Sequence, residues 1–126
     1  GQNWQAIDVS AANPSSRTLR AIWGSSATDI WVAGTNGFLM RLVGGTWTQQ
    51  ANLGSNTIVS LWGSAADDVY AASNAGEIWR YNGIGWFALP NSNTVLSSVW
   101  GSDNRNVWAV GTVTANTSNL VLHGIR

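Results

Sequence analysis

Four side chains in the middle of the sequence have the types needed to recognise a polar ligand. Arg41 and Arg80 hold matching places in two copies of a repeated pattern, and Glu77 and Trp79 stand just before Arg80. An aromatic face beside directional donors and acceptors suits a sugar. The pattern therefore predicts a carbohydrate site at Arg41, Glu77, Trp79 and Arg80. The alternative is that the arginine stems lie along a sheet face with their heads in water.

The other ionisable residues do not form a catalytic or metal-binding pattern. His123 is the only histidine, cysteine is absent, and the six acids are scattered singly except for Asp67 and Asp68. A catalytic triad, a paired-carboxylate hydrolase and a metal site each need groups that this spacing does not bring together. We therefore expect no enzymatic activity, no cofactor and no metal. Asp29 and Asp68 are predicted to bond backbone amides in turns.

The composition excludes one class of partner and suggests a setting. Only 10% of the residues are charged and the formal net charge is zero, so nucleic acid is not an expected partner. All six basic residues are arginine, and an abundance of serine, threonine, asparagine and glycine suits an extracellular or carbohydrate-rich environment. The sequence has no apolar run of membrane-spanning length and no segment of signal-peptide type, and it assigns no compartment.

The elements that must position these residues are three copies of one repeat. Trp23, Trp62 and Trp100 are spaced by 39 and 38 residues, and an Asp or Asn follows six residues after each of them. A second aromatic residue comes two positions later in every copy. Self-similarity at this period, with glycine-marked turns between short apolar runs, predicts blades of four antiparallel strands.

The strands divide the chain into three blades, over residues 18–50, 57–90 and 95–126, with turns at 24–29 and 111–118 among others. The third blade ends one strand short. A strand predicted over Trp4–Val9 has no neighbour of its own, and Trp4 matches Trp47 and Trp86, which lead into the last strands of the first two blades. The order is therefore circularly permuted, as in a β-propeller whose chain ends share a blade. Residues 1–9 are predicted to complete the last blade of a partner chain.

The repeat also carries a resemblance. The runs IWGSSATDIWVAG (22–34) and VWGSDNRNVWAVG (99–111) resemble the W-G-S-S-x-x-D-V-W-A-V-G repeat of bacterial surface or secreted β-propellers. This resemblance implies the propeller fold and says nothing about activity, because one fold hosts many functions. The departures are Tyr70 for the second Trp, Ser73 for the closing Gly, and Asn106 for the Asp.

Three blades cannot close a ring, since propellers have roughly four to eight of them. The repeated aromatic residues are expected to wedge between neighbouring blades, and an open arc would expose such residues on both outer faces. We therefore predict a homodimer that forms a six-bladed ring, in preference to a nine-bladed trimer.

Two functions fit this architecture. The first is a carbohydrate-binding, lectin-like propeller with glycans as partners. The second is a structural or protein-interaction propeller, which includes an excised or engineered half that self-assembles.

Overall fold

The computed structural model describes residues 3–90, 94–113 and 119–125, and strands account for nearly all of the regular structure in them. One turn of 3-10 helix spans Thr35–Gly37. No other helix occurs in the described ranges, and all sheet pairings are antiparallel. The prediction of an all-β chain without a helix longer than one turn is confirmed.

The first sheet is a meander whose four strands pair in chain order. Gly44 and Gly45 form the tight turn between its last two strands, and both have positive φ, at 60° and 85°. Two such residues match the twist of a two-residue hairpin, which explains the glycine pair there. The strands are β1 (Leu19–Ser26), β2 (Asp29–Gly34), β3 (Leu39–Val43) and β4 (Thr46–Gln49).

The second sheet repeats this meander, and the third has three strands in the order β9-β10-β11. The register is the same in all three sheets, because the first two aromatic residues of each repeat are cross-strand partners: Trp23 with Trp31, Trp62 with Tyr70, and Trp100 with Trp108. The second sheet contains β5 (Ile58–Ala65), β6 (Asp68–Ser73), β7 (Ile78–Tyr81) and β8 (Trp86–Ala88). The third contains β9 (Thr94–Asp103), β10 (Asn106–Val113) and β11 (Asn119–Ile125).

Strands β1 and β10 extend further than the sequence predicts. The turn expected over residues 24–29 is wrong, because β1 continues to Ser26 and only residues 27–28 form the turn. A register shift between Gly24 and Ser26 lets the strand bend without ending. Likewise β10 continues to Val113, so that residues 111–113 of the long turn expected at 111–118 are strand; the rest of that turn lies outside the described residues.

Residues 3–18 contain no strand, so the strand predicted over Trp4–Val9 is wrong for a single chain. Trp4 is fully exposed, whereas Val9 and Ala12 pack on the outer side of the first sheet. A strand needs a neighbour to satisfy its backbone groups. No such neighbour lies beside this segment in the described residues.

The sheets stack in chain order, with β1 beside β5 and β5 beside β9. We call the interface between the first and second sheets the first junction, and the interface between the second and third sheets the second junction. Each junction has its own buried apolar cluster, and a third cluster lies on the outer side of the first sheet. The result is a propeller-like arc of three sheets.

Candidate functional site

An ion pair joins the two middle strands of the first sheet. Arg41 on β3 donates from Nε to Asp29 Oδ1 on β2 over 2.8 Å, and Ser25 Oγ donates to the other carboxylate oxygen over 2.5 Å. Burial opposes the charge on Asp29, but the hydrogen bonds from Arg41 and Ser25 and the arginine's charge outweigh it, so the pKa of Asp29 is lowered. The guanidinium carbon also lies 4.4 Å from the centre of the Trp31 ring. Arg41 is therefore fixed by the protein itself.

The same arrangement returns in the other two sheets. Arg80 Nε donates to Asp68 Oδ1 over 2.9 Å, and Ser64 Oγ also donates to that carboxylate. In the third sheet, His123 Nε2 and Asn106 Oδ1 are 3.2 Å apart, and the imidazole stacks on Trp108 with ring centres 3.8 Å apart. Each sheet thus has one polar pair between its second and third strands.

These pairs bear on two sequence predictions. Asp29 was expected to bond backbone amides, and its carboxylate instead accepts hydrogen bonds from the Ser25 and Arg41 side chains; the Asp68 carboxylate likewise accepts from Ser64 and Arg80. Arg41 and Arg80 each pair with an acid of their own sheet, and their place in a ligand site stays a prediction. The constant 12-residue separation of Asp and Arg in the first two repeats is the sequence signal that identifies these pairs.

Glu77 and Trp79 are the two predicted site residues that the structure brings together. A Cβ added to Gly54 would lie 3.2 Å from Glu77 Oε2 and 3.4 Å from Trp79 Cζ2, so the carboxylate and the indole edge flank the same glycine. Asn56 Nδ2 donates to Glu77 Oε1 over 3.1 Å. Trp79 also packs against the first-junction core and its Nε1 is buried, so its loss would disturb the fold as well as any site.

An aromatic cluster fills the outer part of the first junction. The Trp31 ring meets Tyr81 at 4.9 Å and Trp86 at 5.2 Å, the latter edge-on. Arg41 Nη1 donates to the Tyr81 hydroxyl over 3.3 Å, so the polar pair of the first sheet is tied to the second. Edge-to-face and tilted contacts of this kind add to the apolar burial of large rings.

The second junction contains a cavity of about 310 Å³ in the corresponding place. Tyr70 and Arg80 line it from the second sheet. These two residues hold the register positions that Trp31 and Arg41 hold in the first sheet. Gly124 holds the register position of Tyr81, and the part of the chain that the structure describes contains no strand of the third sheet that corresponds to β8. The space that Tyr81 and Trp86 fill in the first junction is therefore unfilled here.

The outer faces of the arc expose residues whose counterparts are buried in the junctions. Trp108 is 39% exposed, whereas its counterparts Trp31 and Tyr70 are buried. On the other outer face Ile22 is 68% exposed, whereas its counterparts Leu61 and Val99 are buried. We call the outer surface of the third sheet its open face (Trp100, Trp108, Val110, Val121 and His123). We call the outer surface of the first sheet its open face (Ile22, Ile30, Val32, Met40 and Trp47). On this second face Ile22 is exposed and Ile30 and Trp47 are half-buried, whereas Val32 and Met40 are buried in a cluster with Ala12 and Phe38.

Among the described residues, no three His, Asp or Glu side chains converge in a way that could hold a metal ion. Over the same ranges, none of the helical structure is long and apolar enough to cross a membrane. The chain matches none of the protein-family models and none of the curated protein sequences with which it was compared.

Proposed function

We propose that this chain is a non-enzymatic binding module that works as an oligomeric β-propeller, in which two copies close a ring of six blades. One observation carries the proposal. Each open face is equivalent to one side of the junctions between neighbouring sheets, a junction that occurs twice within the chain. The open face of the third sheet repeats the surface that the first sheet turns towards the second. The open face of the first sheet repeats the surface that receives it. Exposed apolar side chains, which are Trp100, Trp108, Val110 and Val121 on the third sheet and Ile22 on the first, favour association.

The register of the sheets supports this complementarity. In the first junction, Trp31 and its stacked Arg41 face Tyr81 and Trp86. The third sheet presents Trp108 with its stacked His123 in the same register positions. A second copy would offer this pair its first sheet, where Trp47 holds the position of Trp86. Each of the two closing junctions would then bury one open face of each kind.

The number of copies follows from the number of sheets. Rings of β-blades contain roughly four to eight blades, so three sheets are too few and nine are more than usual. Two chains supply six. Closed cyclic symmetry also leaves no open face at either end, which is the usual outcome for soluble oligomers.

The cavity in the second junction supports an exchange of the N-terminal segment. Within the described ranges no fourth strand lies beside β11, and Trp4 is fully exposed. If residues 4–9 of a second copy pair with β11, Trp4 takes the place that Trp86 takes in the first junction. The apolar walls of the cavity, which include Val107, Leu122 and the Tyr70 ring, suit an indole. The exchange would both satisfy the free edge of β11 and fill the cavity.

Light scattering coupled to gel filtration tests this assembly. At micromolar concentration we expect one species of twice the 13.4 kDa chain mass. The peak should keep this mass on dilution through the low micromolar range, since closing the ring buries two junctions at once. A monodisperse species with the mass of one chain would refute the ring. A species with the mass of three chains would indicate a nine-bladed ring instead of the six-bladed one.

A carbohydrate ligand is the second part of the proposal, and the cluster of Asn56, Glu77 and Trp79 supports it. The Glu77 carboxylate is half-buried beside an indole edge, with Gly54 between them and Asn56 as its hydrogen-bond donor. A carboxylate and an amide next to an aromatic ring are groups that bind sugar hydroxyls and C–H faces. Arg41 and Arg80 would contribute indirectly, since each is held by an acid of its own sheet.

Binding to a glycan array, with a monosaccharide as competitor, tests the carbohydrate proposal. For the best glycan, Glu77→Gln is expected to weaken binding by about tenfold, because a charge-assisted hydrogen bond is lost while the side-chain shape is kept. Asp67→Asn is the matched control, since it makes the same charge change at an exposed position in the turn between β5 and β6. If no glycan binds, or if both variants bind equally well, the alternative of a structural or protein-interaction propeller is favoured.

A further inference from the structure

In both internal junctions, an indole ring lies on a glycine of the next sheet. A Cβ placed on Gly63 would be 2.7 Å from Trp23 Cη2, and one placed on Gly101 would be 2.5 Å from Trp62 Cη2. Real Cβ atoms essentially never approach another heavy atom this closely. Each glycine follows the first tryptophan of its own repeat, so the contact recurs with the period of the chain. A side chain at these positions would meet the neighbouring ring and also a backbone carbonyl of its own hairpin, at Asp68 or Asn106, 2.8 Å from the added Cβ.

The third repeat leaves one indole and one glycine without this contact in the described residues. Trp100, the counterpart of Trp23 and Trp62, is 61% exposed. Gly24 is the counterpart of Gly63 and Gly101, and the atoms nearest to its added Cβ belong to its own hairpin, at Asp29, Ile30 and Ser26. No aromatic ring is among them. The unmatched indole and the unmatched glycine lie on the two opposite open faces of the arc.

We propose that the indole of Trp100 in one copy packs on Gly24 of a second copy, as Trp23 packs on Gly63 and Trp62 on Gly101. This inference rests on the proposed ring and assigns the contact that selects the partner surface. Because a Cβ at residue 24 would collide with the ring, only a sheet with glycine in that position can receive the open face of the third sheet. In a two-copy ring the contact forms twice.

Variants of the two residues test the contact through the dissociation constant of the ring. Gly24→Ala introduces the collision, and we expect it to weaken the ring by about a hundredfold, since overpacking acts at both closing junctions. Trp100→Phe replaces the indole by a shorter phenyl ring, which lacks the outer atoms that lie nearest to the glycine in the internal junctions. It should weaken the ring by about tenfold alone. The double variant should be tighter than Gly24→Ala, which is the sign of direct coupling.

Mixing the two single variants gives the sharpest comparison. In a mixed ring, Trp100 of the Gly24→Ala chain meets the native Gly24 of its partner, and the shortened Phe meets the new alanine. Native mass spectrometry distinguishes the chains by mass, and we expect mixed rings to exceed the number that random pairing allows. This rescue between chains cannot come from a repaired fold within one of them.

Trp100→Ala tests the same contact without a change in the hairpin that contains Gly24. It is expected to weaken the ring by about a hundredfold, as truncation of a buried interface tryptophan does. Full assembly of Trp100→Ala, or a Gly24→Ala defect that Trp100→Phe rescues neither in the double variant nor in the mixture, would overturn the contact while the ring stands. A wild-type chain that stays monomeric would overturn the ring and the contact together.

Discussion

Deletion of residues 1–9 is expected to convert the two-chain ring into aggregate or unfolded monomer. Without these residues the edge of β11 has no strand to pair with, and the cavity of about 310 Å³ in the second junction has nothing to fill it. An unpaired sheet edge beside an apolar cavity invites disordered association. Light scattering should show the loss of the two-chain species together with higher-mass material.

The substitution Trp4→Ala separates the side chain from the strand. It keeps the backbone that would pair with β11 and removes the ring that would fill the cavity. At about 2 kcal/mol or more for each of two junctions, the dissociation constant should rise about a thousandfold. Gln5→Ala is the control, because it alters the next residue of the same segment without changing an aromatic group. Equal affinities for the two variants would mean that Trp4 does not enter the junction.

Replacement of Trp31 is expected to cause the largest loss of stability within one chain. Trp31 is fully buried in the first junction, where Tyr81 and Trp86 pack on it and the guanidinium of Arg41 covers it. Truncation of a buried tryptophan to alanine lowers the free energy of unfolding by about 3–5 kcal/mol, through lost burial and the cavity that remains. Urea titration at a fixed chain concentration measures the loss, since assembly also contributes to apparent stability.

The control for this prediction is Trp31→Phe. The Trp31 Nε1 atom is buried without a hydrogen-bond partner. Replacement by phenylalanine therefore loses packing contacts but no hydrogen bond. We expect Trp31→Phe to lower the free energy of unfolding by less than half as much as Trp31→Ala does. If alanine and phenylalanine were equally stable, the ring contacts of the first junction would not contribute to folding.

The repeat made the fold readable from the sequence, because each turn and each aromatic residue appears two or three times in equivalent places. The register that pairs Trp23 with Trp31 and Trp62 with Tyr70 follows from that spacing. The ends of the strands were less accessible. A bulge beside Gly24 continues β1 through a Gly-Ser segment that local preference assigns to a turn.

The side-chain site was harder to predict than the fold. A single arginine beside an aromatic residue is compatible with a ligand site or with a pair inside the sheet. What decides between them for Arg41 is the cross-strand position of Asp29, a contact between residues 12 positions apart. Glu77 and Trp79 meet at Gly54, which belongs to the loop before β5. No periodic pattern reports such a contact, because that loop is not part of the repeated strand framework.

The difference between the two open faces has a consequence for growth. In the proposed assembly one face is the complement of the other and not of itself, so copies would meet head to tail, and each added copy would present a new pair of unlike faces. Only the angle between successive sheets ends the process: about 60° per sheet brings the sixth sheet back to the first. After a substitution that changes this angle by a few degrees, the two faces would still bind each other, but the ring would no longer close. The product would then be a helical polymer rather than a ring.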